Sequence, residues 1–194
     1  MNPRPHVLLI AGPNGAGKTS AAPGLVRDLL GVAEYVNADL IAQGLSAFDT
    51  QSVALQAGRV MLTRLHQLAA RHRHFAFETT LATRSYLPWL RTLQAEGFAI
   101  DLAFLWLPSP EIAIARVTER VRLGGHDVPE TVIRRRYRRG LDNFFRLYRE
   151  HADRWWLYDN AATDPQRFIA AGGKQGTTHL SRPDVWQNLL ETHQ

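Results

Sequence analysis

The chain has 194 residues, 45% of them hydrophobic and 21% charged, the mix of a folded globular protein rather than a disordered one. It contains no cysteine, which excludes a disulfide framework, cysteine-based zinc sites and thiol catalysis, and no apolar run nears the roughly 18 residues of a membrane span. The net charge of +5 is concentrated: residues 116–154 hold eleven arginines against six acids, and the remainder is balanced.

The first residues run straight into a strand pattern without the apolar core of a signal peptide, which reads as a cytoplasmic protein. Short apolar runs then alternate with longer helical patterns, as in a parallel sheet covered on both faces. The strand candidates are Val7–Ala11, Tyr35–Asn37, Phe75–Phe77, Phe98–Leu107 and Trp155–Tyr158. Helices are expected near 18–30, 51–73, 84–96, 110–122 and 131–150. Phe98–Leu107 carries one charge, Asp101, and reads as a central strand. The tail is expected to hold a hairpin over Phe168–Leu180 and a short helix over Asp184–Leu190.

Strand Val7–Ala11 leads into Gly12-Pro13-Asn14-Gly15-Ala16-Gly17-Lys18-Thr19, followed by Ser20. This is the phosphate-loop pattern, and it stands between a strand and a helix as it must. The glycines let backbone N–H groups converge on phosphate oxygens, and the helix start adds the positive end of its dipole. Lys18 is expected to reach the outer phosphates of a nucleoside triphosphate and Thr19 to hold Mg²⁺. Lys18 is one of only two lysines in the chain, a compact ammonium kept where arginine is bulkier.

Ligands of an open parallel sheet bind beyond the carboxyl ends of its strands. Tyr35–Asn37 delivers Asp39 to that rim, and Phe75–Phe77 delivers Glu78, Thr79 and Thr80. A kinase needs a carboxylate to take the proton of the acceptor hydroxyl. Asp39 fits this role first and Glu78 second, and Glu78 alternatively orients the acceptor or holds Mg²⁺ through water. The competing reading makes Asp39 the N-cap of a helix starting at Leu40.

Arg116 and Arg120 are spaced i, i+4 and share one helix face. Gly124-Gly125-His126-Asp127-Val128-Pro129 then forms a flexible tip before a helix rich in arginine. A helix, a glycine-rich tip and a second helix read as a lid over the triphosphate, bringing one or two arginines onto the charge developed in transfer. In the triplet 134–136 at most two side chains can face the site. His126 reads equally as a substrate contact and as a solvated tip residue.

These motifs, with Phe77-Glu78-Thr79-Thr80-Leu81, Arg135-Arg136-Tyr137 and Tyr158-Asp159-Asn160, resemble the zeta toxin family, specifically its compact members, over residues 6–160. The resemblance implies a P-loop kinase-like α/β fold of three layers, with a mostly parallel sheet of about five strands and a helical lid. It implies a toxin of a toxin–antitoxin pair that uses ATP and Mg²⁺ to phosphorylate the sugar 3′-hydroxyl of UDP-N-acetylglucosamine. Lys18 and Thr19 then bind ATP–Mg²⁺, Asp39 matches the family's catalytic aspartate, and Glu78, Thr79 and Thr80 line the sugar site. Arg120 is the first lid arginine; the second falls to Arg134 or Arg136, since strict spacing lands on Ile133. The reading is of one domain over 1–194, with the lid around 116–139 and a small C-terminal appendage over 163–194. Two alternatives stand beside it: a kinase for a nucleoside, antibiotic or polynucleotide hydroxyl, for which the basic stretch is a nucleic-acid footprint, and an ATP-dependent switch that transfers nothing.

Overall fold

The computed structural model describes residues 4–31, 34–125, 127–161 and 168–193. Its strands are β1 (His6–Ala11), β2 (Glu34–Val36), β3 (Phe75–Thr79), β4 (Ala99–Trp106), β5 (Arg154–Asp159), β6 (Phe168–Gly173) and β7 (Gly176–Leu180). They form one sheet in the order β2-β3-β1-β4-β5-β6-β7. The first five are parallel, and β6 and β7 are antiparallel. The expected hairpin is therefore present, and because β6 pairs with β5 it extends the sheet to seven strands rather than about five.

The helices are α1 (Lys18–Leu30), α2 (Ala38–Leu45), α3 (Ala54–Ala70), α4 (Tyr86–Ala95), α5 (Pro110–Arg122), α6 (Glu130–Asn143), α7 (Arg149–His151) and α8 (Pro183–His193). The pattern expected as one helix over 51–73 is shorter, and α2 precedes it as a separate element. The pattern over 131–150 is also interrupted. Phe144–Tyr148 forms a π-helical turn between α6 and α7. The wider turn lets Phe144, Phe145 and Tyr148 all be buried: Phe144 packs on Phe104 and Phe145 on Trp186, and the Tyr148 hydroxyl donates to the Thr83 carbonyl at 2.7 Å. Such single π turns cluster at functional sites.

Every residue of β4 is buried, the mark of a central strand covered on both faces. Phe75, Phe77, Phe98 and Phe104 are wholly enclosed, each stabilising the fold by roughly 1.5–3 kcal/mol relative to exposure. Asp101 is the charged exception, and it is fully paired. Arg154 donates to both its oxygens at 2.8 and 2.7 Å, and His6 Nδ1 lies 2.8 Å away. This cluster pins the amino-terminal end of the sheet and leaves the opposite end to the loops. Among the described residues no helix is long and apolar enough to cross a membrane.

Candidate active site

The loop after β1 emerges between β3 and β4, the neighbours of β1, so its backbone meets the ends of both. Gly12 and Gly15 adopt φ of +143° and +76°, where a side chain is strained. There is no room for one either. A Cβ on Gly12 would lie 2.3 Å from the Leu105 carbonyl oxygen, and one on Gly15 would lie 2.7 Å from that of Ala113. At the far side, the Asn160 amide donates to the Ala16 carbonyl at 2.6 Å, so the end of β5 closes over the loop. Arg116 reinforces this closure by donating to the carbonyls of Ala161 (2.8 Å) and Gly15 (3.4 Å).

Lys18 is 9% exposed. Its ammonium donates to the Gly12 and Pro13 carbonyls at 3.0 and 2.9 Å and lies 3.9 Å from Glu78 Oε1. Burial pushes its pKa down, Glu78 and Asp39 oppose that, and Arg120 and Arg136 add to it. The buried charge is thus held at a desolvation cost that an arriving anion offsets. Thr19 donates its hydroxyl to Glu78 Oε2 at 2.8 Å. The Tyr35 hydroxyl and the Asn37 amide converge on the same Glu78 oxygen, and burial and that carboxylate push the Tyr35 phenol pKa up. A carboxylate after Phe-Ala-Phe is tolerated because three donors satisfy it.

Asp39 is not the cap of α2. The Asn37 side chain fills that position, accepting the backbone amides of Asp39 (2.7 Å) and Leu40 (3.2 Å). The Asp39 carboxylate stays exposed, with no hydrogen-bond partner among the described residues. It faces two adjoining cavities, of about 250 and 200 Å³. The smaller runs along the phosphate loop to Ser20, Arg116 and Arg120. The larger is walled by Thr79, Thr80, Met61, Tyr86 and Arg136. Asn14, Lys18, Asp39 and Glu78 line both, so the charged centre of the site lies at their junction.

The arginines divide. Arg120 and Arg136 reach the cavities; Arg136 is half-buried, and burial lowers its pKa while Asp39 opposes that. Arg134 does not come to the site. It pairs with Glu111 at 2.6 Å and Glu130 at 2.8 Å on the outer side of α6, because successive helical residues point about 100° apart. Ile133, the position strict spacing selects, is buried in the core. The Gly124-Gly125 tip caps α5: their amides donate to the Val121 and Arg120 carbonyls, both at 2.9 Å. Gly125 also makes room for Arg120, since a Cβ there would lie 2.6 Å from Arg120 Cγ. His126 lies outside the described residues.

The pattern did not disclose Tyr35, Met61, Thr83, Tyr86, Gly140 or Asn143 as site residues. Tyr35 carried a usable signal, since i, i+2 spacing puts it on the same strand face as Asn37. Gly140 carried none. It lets α6 approach the end of β3, where a Cβ would lie 2.5 Å from the Thr80 carbonyl oxygen. The next residue, Leu81, holds a left-handed φ of +58°, uncommon for a bulky side chain. Its backbone is fixed by Thr79 Oγ1 (3.0 Å) and by the Asn143 amide (2.8 Å).

The strand order, the glycine-rich loop wrapped on a buried lysine, and carboxylates at the ends of the next two strands define a P-loop protein of kinase-like fold, which implies ATP binding. The chain belongs to the AAA domain family, whose model matches residues 7–147. It is 28% identical over 130 residues to an uncharacterised protein of Haemophilus influenzae, covering 67% of this chain and 91% of that one. A structure from the PezAT chromosomal toxin–antitoxin system of Streptococcus pneumoniae superposes with a TM-score of 0.69 at 15% identity, covering 99% of this chain and 85% of that one. The AvrRxo1-ORF1:-ORF2 structure with ATP gives a TM-score of 0.70 at 13% identity. The match covers 96% of this chain but 64% of that one. The fold thus agrees with the resemblance to zeta toxins carried by the motifs.

Proposed function

We propose that this protein is an ATP-dependent kinase that moves the γ-phosphoryl group to a hydroxyl of a small molecule, with a nucleotide sugar of the UDP-N-acetylglucosamine kind as acceptor. The observation that carries this reading is the uncapped Asp39 carboxylate at the junction of two cavities. The smaller, along the phosphate loop, suits the triphosphate of ATP. The larger, walled by threonine hydroxyls and the rings of Tyr86 and Met61's thioether, suits a polyol with an apolar face.

Asp39 takes the proton of the acceptor hydroxyl as its oxygen attacks the γ-phosphorus. The bond to the β,γ-bridging oxygen breaks and ADP leaves. Lys18, Arg120 and Arg136 neutralise the charge spread over the transferring group. Magnesium, when bound with the nucleotide, screens the phosphates. One hydroxyl, Thr19, hydrogen-bonded to one carboxylate, Glu78, fits an ion that keeps most of its ligands from water and phosphate. Among the described residues no group of three or more acidic or histidine side chains is gathered to hold a metal.

The polynucleotide reading is the weaker one, because Arg122, Arg134 and Arg154 of the basic stretch are paired with carboxylates. The PezAT neighbour, from a toxin–antitoxin system, supports a toxin role and an antitoxin partner. The test is transfer from ATP to UDP-N-acetylglucosamine read by mass spectrometry, with Lys18→Ala and Asp39→Asn as controls. A gain of one phosphate, lost in both variants, is the expected result. ATP binding with no transfer to any nucleotide sugar, nucleoside or oligonucleotide overturns the kinase reading in favour of a switch.

A further inference from the structure

A third cavity, of about 520 Å³, adjoins the acceptor cavity, and Thr83 lines both. Arg84 and Arg139 stand on its walls, with Ser85 and Asn143 between them. Neither arginine has a carboxylate partner among the described residues; Arg84 makes one bond, from Nε to the neutral Asn143 amide oxygen at 3.4 Å. Asp142, the carboxylate on the wall, is turned to His193 Nδ1 at 2.8 Å. Elsewhere on α6 the exposed Arg134 is held by two carboxylates. Arg84 and Arg139 are thus two cations without a counter-charge among the described residues that share one cavity.

Two elements are brought together here. Arg84 follows the turn after β3, and Arg139 projects from α6 beside Gly140. The close approach of Gly140 to Thr80, and the grip of Asn143 on the Leu81 carbonyl, fix both arginines relative to the threonines of the acceptor cavity. A guanidinium presents planar N–H forks that match phosphate oxygens, and two of them on one cavity favour a multiply charged group. The first turn of α4, which starts beyond Ser85, adds a smaller field of the same sign.

We propose that this cavity is a phosphate subsite for the acceptor: Arg84 and Arg139 hold a phosphate or diphosphate carried by the molecule whose hydroxyl meets Asp39. This rests on the kinase reading and assigns residues of this chain to the charged part of its acceptor; a neutral sugar or an uncharged nucleoside would leave the subsite empty. The acceptor is then an elongated phosphate ester reaching from Asp39 past Thr83 to α6.

The test fills the phosphate loop first, with a saturating non-hydrolysable ATP analogue and Mg²⁺, and then titrates inorganic pyrophosphate by calorimetry. Wild-type protein is expected to bind one pyrophosphate. Arg84→Ala and Arg139→Ala each weaken it about tenfold or more, as loss of a charged hydrogen-bonding partner does, while Arg135→Ala, an equal loss of charge on the same helix, leaves it unchanged. Circular dichroism melting confirms that the variants fold. No pyrophosphate binding with the analogue bound, or equal weakening by Arg135→Ala, overturns the subsite and leaves the kinase reading intact. Failure of the analogue itself to bind overturns the kinase reading and the subsite with it.

Discussion

The side-chain oxygen of Asn37 accepts the backbone amide of Asp39 at 2.7 Å, so the residue that starts α2 differs from the one that offers its carboxylate to the cavities. The cap is worth about 1 kcal/mol to the helix. It also leaves Asp39 in the first turn, its side chain unspent. Asp39→Asn keeps the shape and removes the proton acceptor. We expect transfer to fall by at least about a hundredfold while nucleotide affinity, measured by calorimetry, stays within a few-fold of wild type.

Lys18 sits in the fold with its pKa lowered by burial. Below the lowered value it is charged in both folded and unfolded chains, and the full cost of burying the charge is present. Between that value and the ordinary 10.5 the unfolded chain holds the extra proton, so stability rises with pH. Lys18→Met is therefore expected to melt above wild type at pH 7 without nucleotide, with the gap shrinking toward pH 10.5. The same variant loses ATP binding. A nucleotide-free variant melting below wild type at neutral pH contradicts this account.

Glu78 accepts from Thr19, Tyr35 and Asn37 at once. Glu78→Gln removes the charge behind the Thr19 hydroxyl. Outer-shell partners of metal ligands are worth about ten- to a hundredfold in metal affinity. The Mg²⁺ concentration for half-maximal transfer is expected to rise by that amount, whereas a purely structural role lowers the melting temperature at unchanged Mg²⁺ dependence.

Arg136 and Arg134 separate cleanly. Arg136→Ala is expected to lower transfer on the order of a thousandfold, as loss of a transition-state arginine does. Arg134→Ala leaves transfer unchanged. It lowers the melting temperature slightly, and added salt erases the difference because its two ion pairs are exposed.

Gly125→Ala tests the tip without touching a charge. The new methyl would lie 2.6 Å from Arg120 Cγ and 2.9 Å from the Arg120 carbonyl oxygen, so the Arg120 stem and the backbone of the tip both shift. Misplacement of a charge-bearing group costs about ten- to a hundredfold in rate. The melting temperature should fall modestly while kcat falls by that factor; a lower melting temperature at unchanged kcat places the glycine's role in folding alone.

Much of this was legible in the residues. The phosphate loop, the five parallel strands and both strand-end carboxylates follow from local pattern, because glycine spacing and apolar runs are short-range signals. The competing reading of Asp39 as the cap of α2 falls because Asn37, two residues earlier, takes that place. The second arginine turned on the phase of α6, which one buried Ile133 fixes only once the core is known. Tyr35, Gly140 and Asn143 matter through neighbours 43, 60 and 62 residues away, Glu78, Thr80 and Leu81, and no window on the sequence spans that distance. The hairpin was visible, but its attachment to β5 was not, since edge pairing depends on which strand is left open.

Because β1 lies near the middle of the sheet, its loop divides the molecule by task. On the β4–β5 side, the Arg116 and Asn160 side chains hold the loop by its backbone carbonyls. On the β2–β3 side, α3, α4 and α6 supply the walls that meet the acceptor through side chains. On the proposed kinase reading, substitutions at Met61, Thr83 or Tyr86 are therefore expected to change the acceptor without disturbing the donor. A lineage built on this plan can wander between acceptors while its fuel stays the same.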